Sequence, residues 1–441
     1  MTLKSGVFYY DCGEYVYLRN VNNAKDYFMS PVSYDILEYI KQNPGCHLEG
    51  ICNALTDLYE VASAADLWDD IHTFVEELEK EQLLAEEQTI PASESGISDQ
   101  LQAMYQDSGK LYSATLELTY RCNEKCVHCY VDDACHANVK KELTLEEYQS
   151  VLDQLKAMGC IHILLTGGEV CLRNDFLEIA RYAVSSGFLV DIYTNGIAMT
   201  DSQFEQLCDM KVNSVSFSLY SADPSVHDAI TNVPGSFDRT LKRLLMFKCA
   251  GVDTFLKTVV IQQNLDSLEG LFEFGKRLNI PVNPATNISD THTGVSKAGF
   301  RLKSQAQRHC AAQIIQKYDS VNPKMLHRNL DSAVCHAGIT TLSVDPYGGV
   351  HPCLAFTEEI GSVRQQTLTE IWEQAPLLKK LRYFRFRDLS ESCGSCNYAD
   401  TCGVCIGAAY SESGGSLCPN SDSCHWAKAN YDAVSTVFFN S

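Results

Sequence analysis

Between Leu111 and Leu278, short apolar runs alternate with longer amphipathic stretches, and no other feature constrains the fold of this chain as tightly. Ala114–Thr119, Ile161–Leu165, Leu189–Tyr193, Ser214–Leu219, Thr254–Ile261 and Pro281–Ala285 read as strands. Leu145–Met158, Phe176–Ser186, Ser202–Met210, Phe237–Ala250 and Leu268–Leu278 read as the helices between them. Repeated βα units predict an α/β fold with a parallel sheet, open or closed into a barrel. Functional residues are then expected in the loops after the C-terminal ends of the strands.

The flanks have a different character. Residues 1–88 hold five basic and 17 acidic residues, which is −12 of the chain's −21. Short β-favouring runs (Val7–Tyr10, Glu14–Leu18, Asp26–Met29) come first, and helical periodicity follows in Pro31–Gln42, His47–Tyr59 and Ala64–Leu84. Three strands and then three helices predict a winged-helix module. Residues 89–110 are polar and read as a linker. The βα region is placed at 111–318 and a last region at 319–441. The latter is turn-rich after about residue 330, dense in Cys, and closed by a helix at His425–Phe439.

With 441 residues, 45% of them hydrophobic and 21% charged, there is material for several real cores. A net charge of −21 argues against a binder of nucleic-acid backbones, which works through clustered cations. No run of 18 apolar residues occurs, and Met1–Tyr10 lacks the layout of a signal peptide, so a cytoplasmic protein with no membrane partner is expected. Cytosolic thiols stay reduced, so clusters among the 20 Cys point to metal sites. The sharpest is Cys122-x3-Cys126-x2-Cys129, immediately after the first strand of the βα region. Three thiolates can hold three irons of a [4Fe–4S] cube and leave the fourth iron free for a small chelating molecule. A zinc knuckle completed by His128 would use the same residues.

With Tyr130 behind it, this run resembles the signature of radical S-adenosylmethionine (radical SAM) enzymes, which sits after the first strand of a partial (β/α)6 barrel. Thr166-Gly167-Gly168-Glu169, at the end of the second strand, resembles the GGE motif of that family. Thr194-Asn195-Gly196 ends the third strand, Ser216-Phe217-Ser218-Leu219-Tyr220 ends the fourth, and residues 223–239 also look like the family. The resemblance implies one cluster on Cys122, Cys126 and Cys129, with SAM on its open iron. It implies Tyr130, Gly167, Gly168, Glu169, Asn195, Ser216 and Ser218 as SAM contacts, Glu169 facing the SAM ammonium. The chemistry would be a 5′-deoxyadenosyl radical removing an unactivated hydrogen. Cys171, two residues after Glu169, is placed to donate a hydrogen atom or simply to pack.

Cys335-x12-Gly348-x4-Cys353, then Cys393-x2-Cys396-x5-Cys402-x2-Cys405, then Cys418 and Cys424, resembles the SPASM extension of radical SAM peptide-modifying enzymes. The family often has x3 in the last spacing of the run. The resemblance implies two auxiliary [4Fe–4S] clusters, three in all. Cys393, Cys396, Cys402 and Cys424 would hold the distal one. Cys335, Cys353 and Cys405 would hold the proximal one, its fourth position taken by Cys418, by another residue, or by a substrate thiolate. Zinc ribbons would use Cys393, Cys396, Cys402 and Cys405 instead. The remaining cysteines read mostly as small buried apolar residues.

Residues 1–88 are similar in pattern to the precursor recognition element of enzymes that mature ribosomally made peptides, a small winged-helix domain that binds a leader peptide as an added strand. The whole chain then resembles a peptide maturase, most simply one that forms Cys thioethers. A flavodoxin- or ferredoxin-type electron donor is implied. Carbon–carbon cross-linking, or protein oxidation of the sulfatase-maturing type, are the alternatives.

Overall fold

The computed structural model describes residues 1, 3–4, 7–11, 16–20, 25–44, 46–56, 59, 64–81, 83–84, 105, 109–131, 141–318 and 330–439. Cys12, Cys135 and most of the expected linker 89–110 lie outside them.

The chain opens with an antiparallel meander, β1 (Val7–Asp11), β2 (Val16–Asn20) and β3 (Lys25–Met29), in the order β1–β2–β3. Three helices follow: α1 (Val32–Gln42), α2 (Leu48–Thr56) and α3 (Ala64–Lys80). Val16 and Leu18 of β2 pack under Ile36, Leu37, Ile40, Ile51, Leu55 and Ile71, giving this module a core of its own. The opposite face of the meander does other work. Tyr10 and Tyr17 join Tyr112, Ile161 and Leu189, which stand where three strands of the large sheet begin. The ring of Phe8 fills the space left by Gly187, Lys156 lies 4.8 Å above that ring, and Lys110 pairs with Asp11 at 3.2 Å.

The large sheet holds the six expected strands, parallel and in order: β4 (Ser113–Glu117), β5 (His162–Thr166), β6 (Leu189–Thr194), β7 (Ser214–Ser218), β8 (Thr254–Val259) and β9 (Val282–Ala285). Between them lie α4 (Leu145–Ala157), α5 (Phe176–Ser185), α6 (Asp201–Met210), α7 (Pro224–Thr231), α8 (Ser236–Cys249) and α9 (Leu268–Leu278). Alternation along each strand sorts the residues. Leu116, Ile163, Leu165, Val190, Ile192, Val215, Phe217 and Leu256 share one buried core with the helices. Glu117, Thr166, Asp191, Tyr193, Ser216, Ser218 and Lys257 belong to the other, more polar face.

Two features depart from the sequence reading. Helix α7 was not foreseen. The region after residue 318, expected as a separate turn-rich domain, adds strands to the same sheet. After α10 (Gln305–Tyr318), β10 (Thr341–Val344) pairs parallel with β4, followed by β11 (Gly349–His351) and β12 (Gly361–Ser362), antiparallel. Strands β4–β12 therefore form one mixed nine-stranded sheet with β12 and β9 at its edges. Then come α11 (Leu368–Gln374), α12 (Pro376–Tyr383), α13 (Ile406–Glu412) and α14 (Ser421–Phe439), which begins four residues before the expected closing helix. Arg308, bonded to Asp422 at 2.7 Å, ties α10 to α14. Among the described residues no helix is long and apolar enough to cross a membrane.

Candidate cofactor site

The Cys122–Cys129 loop leaves the C-terminal end of β4, and three other strand ends fix its shape. Gly168 N–H donates to Thr119 O at 2.7 Å and Glu169 N–H to Arg121 O at 2.9 Å, strapping the Gly167–Glu169 turn onto the start of the loop. Gly167 has φ of +137°, and a Cβ there would overlap the Thr119 carbonyl; at Gly168 it would overlap that of Arg121. Only glycine lets two backbones lie this close. The middle of the loop is pinned to α7, by Lys125 N–H to Thr231 O and Val127 N–H to Ile230 O, both at 3.0 Å.

The three thiols act on one another electrostatically. Burial pushes Cys122 up to about 12, with Glu169, Glu124 and Cys129 adding their negative charge. Burial likewise raises Cys126 and Cys129. To serve together as thiolates the three would need cations to neutralise them, as the irons of a cluster would. Among the described residues, no three His, Cys, Asp or Glu side chains close on a point as a single metal ion requires. A cube, with one ligand per iron, spreads its thiolates more widely. His128 is partly buried and held neutral, its pKa depressed by desolvation to about 4.

The expected SAM contacts divide. Asn195 is at the loop: its Nδ2 donates to Asn123 Oδ1 at 2.8 Å and reaches Cys122 Sγ at 3.9 Å. Ser216 and Ser218 lie on the polar face of β7, Ser216 buried and Ser218 partly open. The Glu169 carboxylate is fully buried and accepts from Thr194 Oγ1 (2.7 Å), Asn195 N–H (2.7 Å) and Cys171 N–H (3.0 Å). It joins the ends of β5 and β6. Cys171 lies in the apolar core with Sγ 3.9 Å from Thr194 Oγ1, a packing position. Tyr130 is partly buried and donates to Glu117 Oε1 at 2.8 Å.

Glu117 is a site residue that motif matching missed, although a carboxylate inside an apolar strand is a visible signal. It is 1% exposed and accepts from Tyr130 and, at 3.1 Å, from Tyr120. Burial raises it to about 7, against those two hydrogen bonds. His292 stacks on Tyr120 (5.4 Å), and Tyr347, just before β11, meets the same ring edge-on (5.7 Å).

The C-terminal thiols include two groups whose members influence one another. Cys335, Cys353 and Cys405 act on one another electrostatically, and burial raises all three, Cys335 to about 11. Cys424 feels Cys393 and Cys396 in the same way. Cys402 is partly buried against the main core, and Cys418 is half-buried on the loop between α13 and α14. Of the unassigned cysteines, Cys52 and Cys160 are buried as expected, whereas Cys249 and Cys310 are exposed.

Residues 116–275 match the Radical SAM superfamily, and residues 335–397 match SPASM, an iron-sulfur cluster-binding domain. The chain carries both domains. The radical SAM domain begins in β4, and the SPASM domain supplies β10–β12 to the same sheet. An AdoMet-dependent heme synthase of Methanosarcina barkeri is 29% identical over 324 residues, covering 68% of this chain and 92% of that protein. The antilisterial bacteriocin subtilosin biosynthesis protein AlbA of Bacillus subtilis is 26% identical over 304 residues, 66% of each chain. Streptococcus suis SuiB, in its crystal structure with precursor peptide SuiA, shares the fold over 96% of this chain and 99% of its own (TM-score 0.63, 16% identity).

Proposed function

We propose that this chain matures a ribosomally made precursor peptide in the cytoplasm, oxidatively cross-linking its side chains, with Cys thioethers as the product. The observation that carries the reading is the edge of the N-terminal meander at β3, which among the described residues pairs with no strand but β2. Phe8, Tyr10 and Asp11 of β1 are engaged with the large sheet, so β3 is the edge left to accept an added strand. Exposed Glu76, Glu77 and Glu79 on neighbouring α3 favour a leader carrying Lys or Arg. The likeness to SuiB supports the same reading because it extends over nearly the whole chain. The heme synthase match leaves about a third of this chain without a counterpart.

Cys122, Cys126 and Cys129 hold the SAM cluster, and Asn195, Ser216, Ser218 and the Gly167–Gly168 backbone line the SAM site. When bound, cluster and SAM supply the 5′-deoxyadenosyl radical that removes hydrogen from an unactivated carbon. Cys393, Cys396, Cys402 and Cys424 hold the distal auxiliary cluster. Cys335, Cys353 and Cys405 offer three thiolates where a cube takes four, so a substrate thiolate can complete the proximal set and stay deprotonated for C–S bond formation. A flavodoxin- or ferredoxin-type protein delivers the electrons.

The test is mass spectrometry of the precursor peptide after anaerobic incubation with the reconstituted full chain, SAM and reductant. Thioether formation removes two hydrogens per link and protects that Cys from alkylation. The same mass loss with every thiol still alkylatable identifies carbon–carbon links. An unmodified peptide alongside 5′-deoxyadenosine production rejects the peptide reading.

A further inference from the structure

The hydroxyl of Tyr220 lies 3.7 Å from Cys126 Sγ, where it donates to the sulfur. Tyr220 follows β7 by two residues, and 94 residues of chain separate it from the thiol it reaches. Both ends of the residue are fixed. Its N–H donates to His227 Nδ1 at 3.2 Å, and its carbonyl accepts from Asn264 Nδ2 at 2.9 Å. The ring is clasped edge-on by His128 (4.8 Å) and face-on by His227 (5.6 Å), with Ile230, Ile261 and Ile288 packed around it. Only 7% of the residue is exposed. A hydroxyl on so confined a ring is pre-aimed and loses little freedom in making its bond.

Hydrogen bonds to cysteine sulfur are among the levers by which a protein sets the potential of an iron–sulfur cluster. The electron added on reduction increases the negative charge on the sulfurs, so an O–H donor stabilises the reduced form more than the oxidised one. The other side-chain oxygen near this sulfur, Glu124 Oε2 at 3.4 Å, accepts from the thiol and has nothing to accept from a metal-bound thiolate. We propose that Tyr220 is a positioning residue of the SAM cluster, whose O–H···Sγ bond to Cys126 raises the midpoint potential of that cluster and eases its reduction. This rests on the reading that Cys122, Cys126 and Cys129 carry the cluster.

Tyr220→Phe keeps the ring and its packing and removes one oxygen. The full chain is loaded anaerobically with iron and sulfide and poised at a series of potentials. The SAM cluster is recognised as the component of the reduced EPR spectrum that shifts when SAM is added. At the wild-type midpoint its reduced-to-oxidised ratio should fall about three- to tenfold in Tyr220→Phe, the range for losing one hydrogen bond, while the auxiliary clusters keep theirs. An unchanged ratio at unchanged iron content overturns the proposal, and so does an equal fall in every cluster. Should Tyr220→Phe fail to load, site-specific replacement of Tyr220 by 3-fluorotyrosine keeps the hydroxyl and makes it a stronger donor. The ratio must then rise, and no change or a fall overturns the proposal. Absence of any SAM-responsive signal in the wild-type protein is a separate result and defeats the assignment of the cluster itself.

Discussion

Single residues at this site are set by partners remote in sequence. Glu169 closes the motif at the end of β5, and Thr194 and Asn195 donate to it from the end of the next strand. The motif locates the turn; the neighbouring strand decides where its acid points. Glu117 has a measurable consequence. Burial holds its folded-state pKa near 7, above the ordinary 4.5. A carboxyl raised in this way keeps its proton in the folded state where the unfolded chain has released it, so stability falls as pH rises from about 4.5 to about 7. The span is worth ~3 kcal/mol. Glu117→Gln removes that titration, so the melting temperature of the variant relative to wild type should climb across this window and level off above it. Glu124, also raised to about 7, titrates in both proteins and cancels. A difference independent of pH would count against a buried, titrating Glu117.

At the scale of elements, α4 shows how a local signal acquires a structural task. Thr144 and Glu147 form a reciprocal cap, the Glu147 carboxylate accepting from Thr144 N–H at 2.8 Å. Arg364, after β12, grips the same carboxylate at 2.8 and 2.9 Å, and Tyr148 of the first turn donates to the Glu117 carbonyl at 2.9 Å. One helical turn thus joins the SPASM segment to the strand that launches the Cys loop. Thr144→Ala should cost about 1 kcal/mol, read as a roughly fivefold rise in amide exchange over Leu145–Tyr148. Exchange at wild-type rates would show the cap to be redundant beside Arg364. The strand–helix alternation of β4–β9 was legible in the sequence because it depends on residues a few positions apart. Strands β10–β12 were not: four-, three- and two-residue strands carry too little periodicity, and β10 exists by pairing with β4 more than 200 residues earlier.

Across the whole molecule, the N-terminal module and the Cys122–Cys129 loop sit at opposite ends of the large sheet's strands. Tyr10 and Tyr17 meet the starts of β4–β6, and Cys122–Cys129 leaves the end of β4. Gly187, at φ of +99°, is the tightest point of the docking surface, because the Phe8 ring occupies the place of a Cβ. Gly187→Val should therefore undock residues 1–88 while leaving the barrel-side core intact. Limited proteolysis should then release an N-terminal fragment much faster than from wild type, and 5′-deoxyadenosine production without peptide should persist. Equal cleavage rates would place the main docking energy elsewhere.

The order and type of the main elements and the glycines that bring two loops together were determined by sequence alone, because periodicity and backbone freedom are local properties. Tertiary structure alone decided that the C-terminal segment extends the sheet, that Thr194 and Asn195 hold the Glu169 carboxylate, and that Tyr220 meets Cys126. Each of these depends on which distant strand ends become neighbours, and that is settled only when the sheet has assembled.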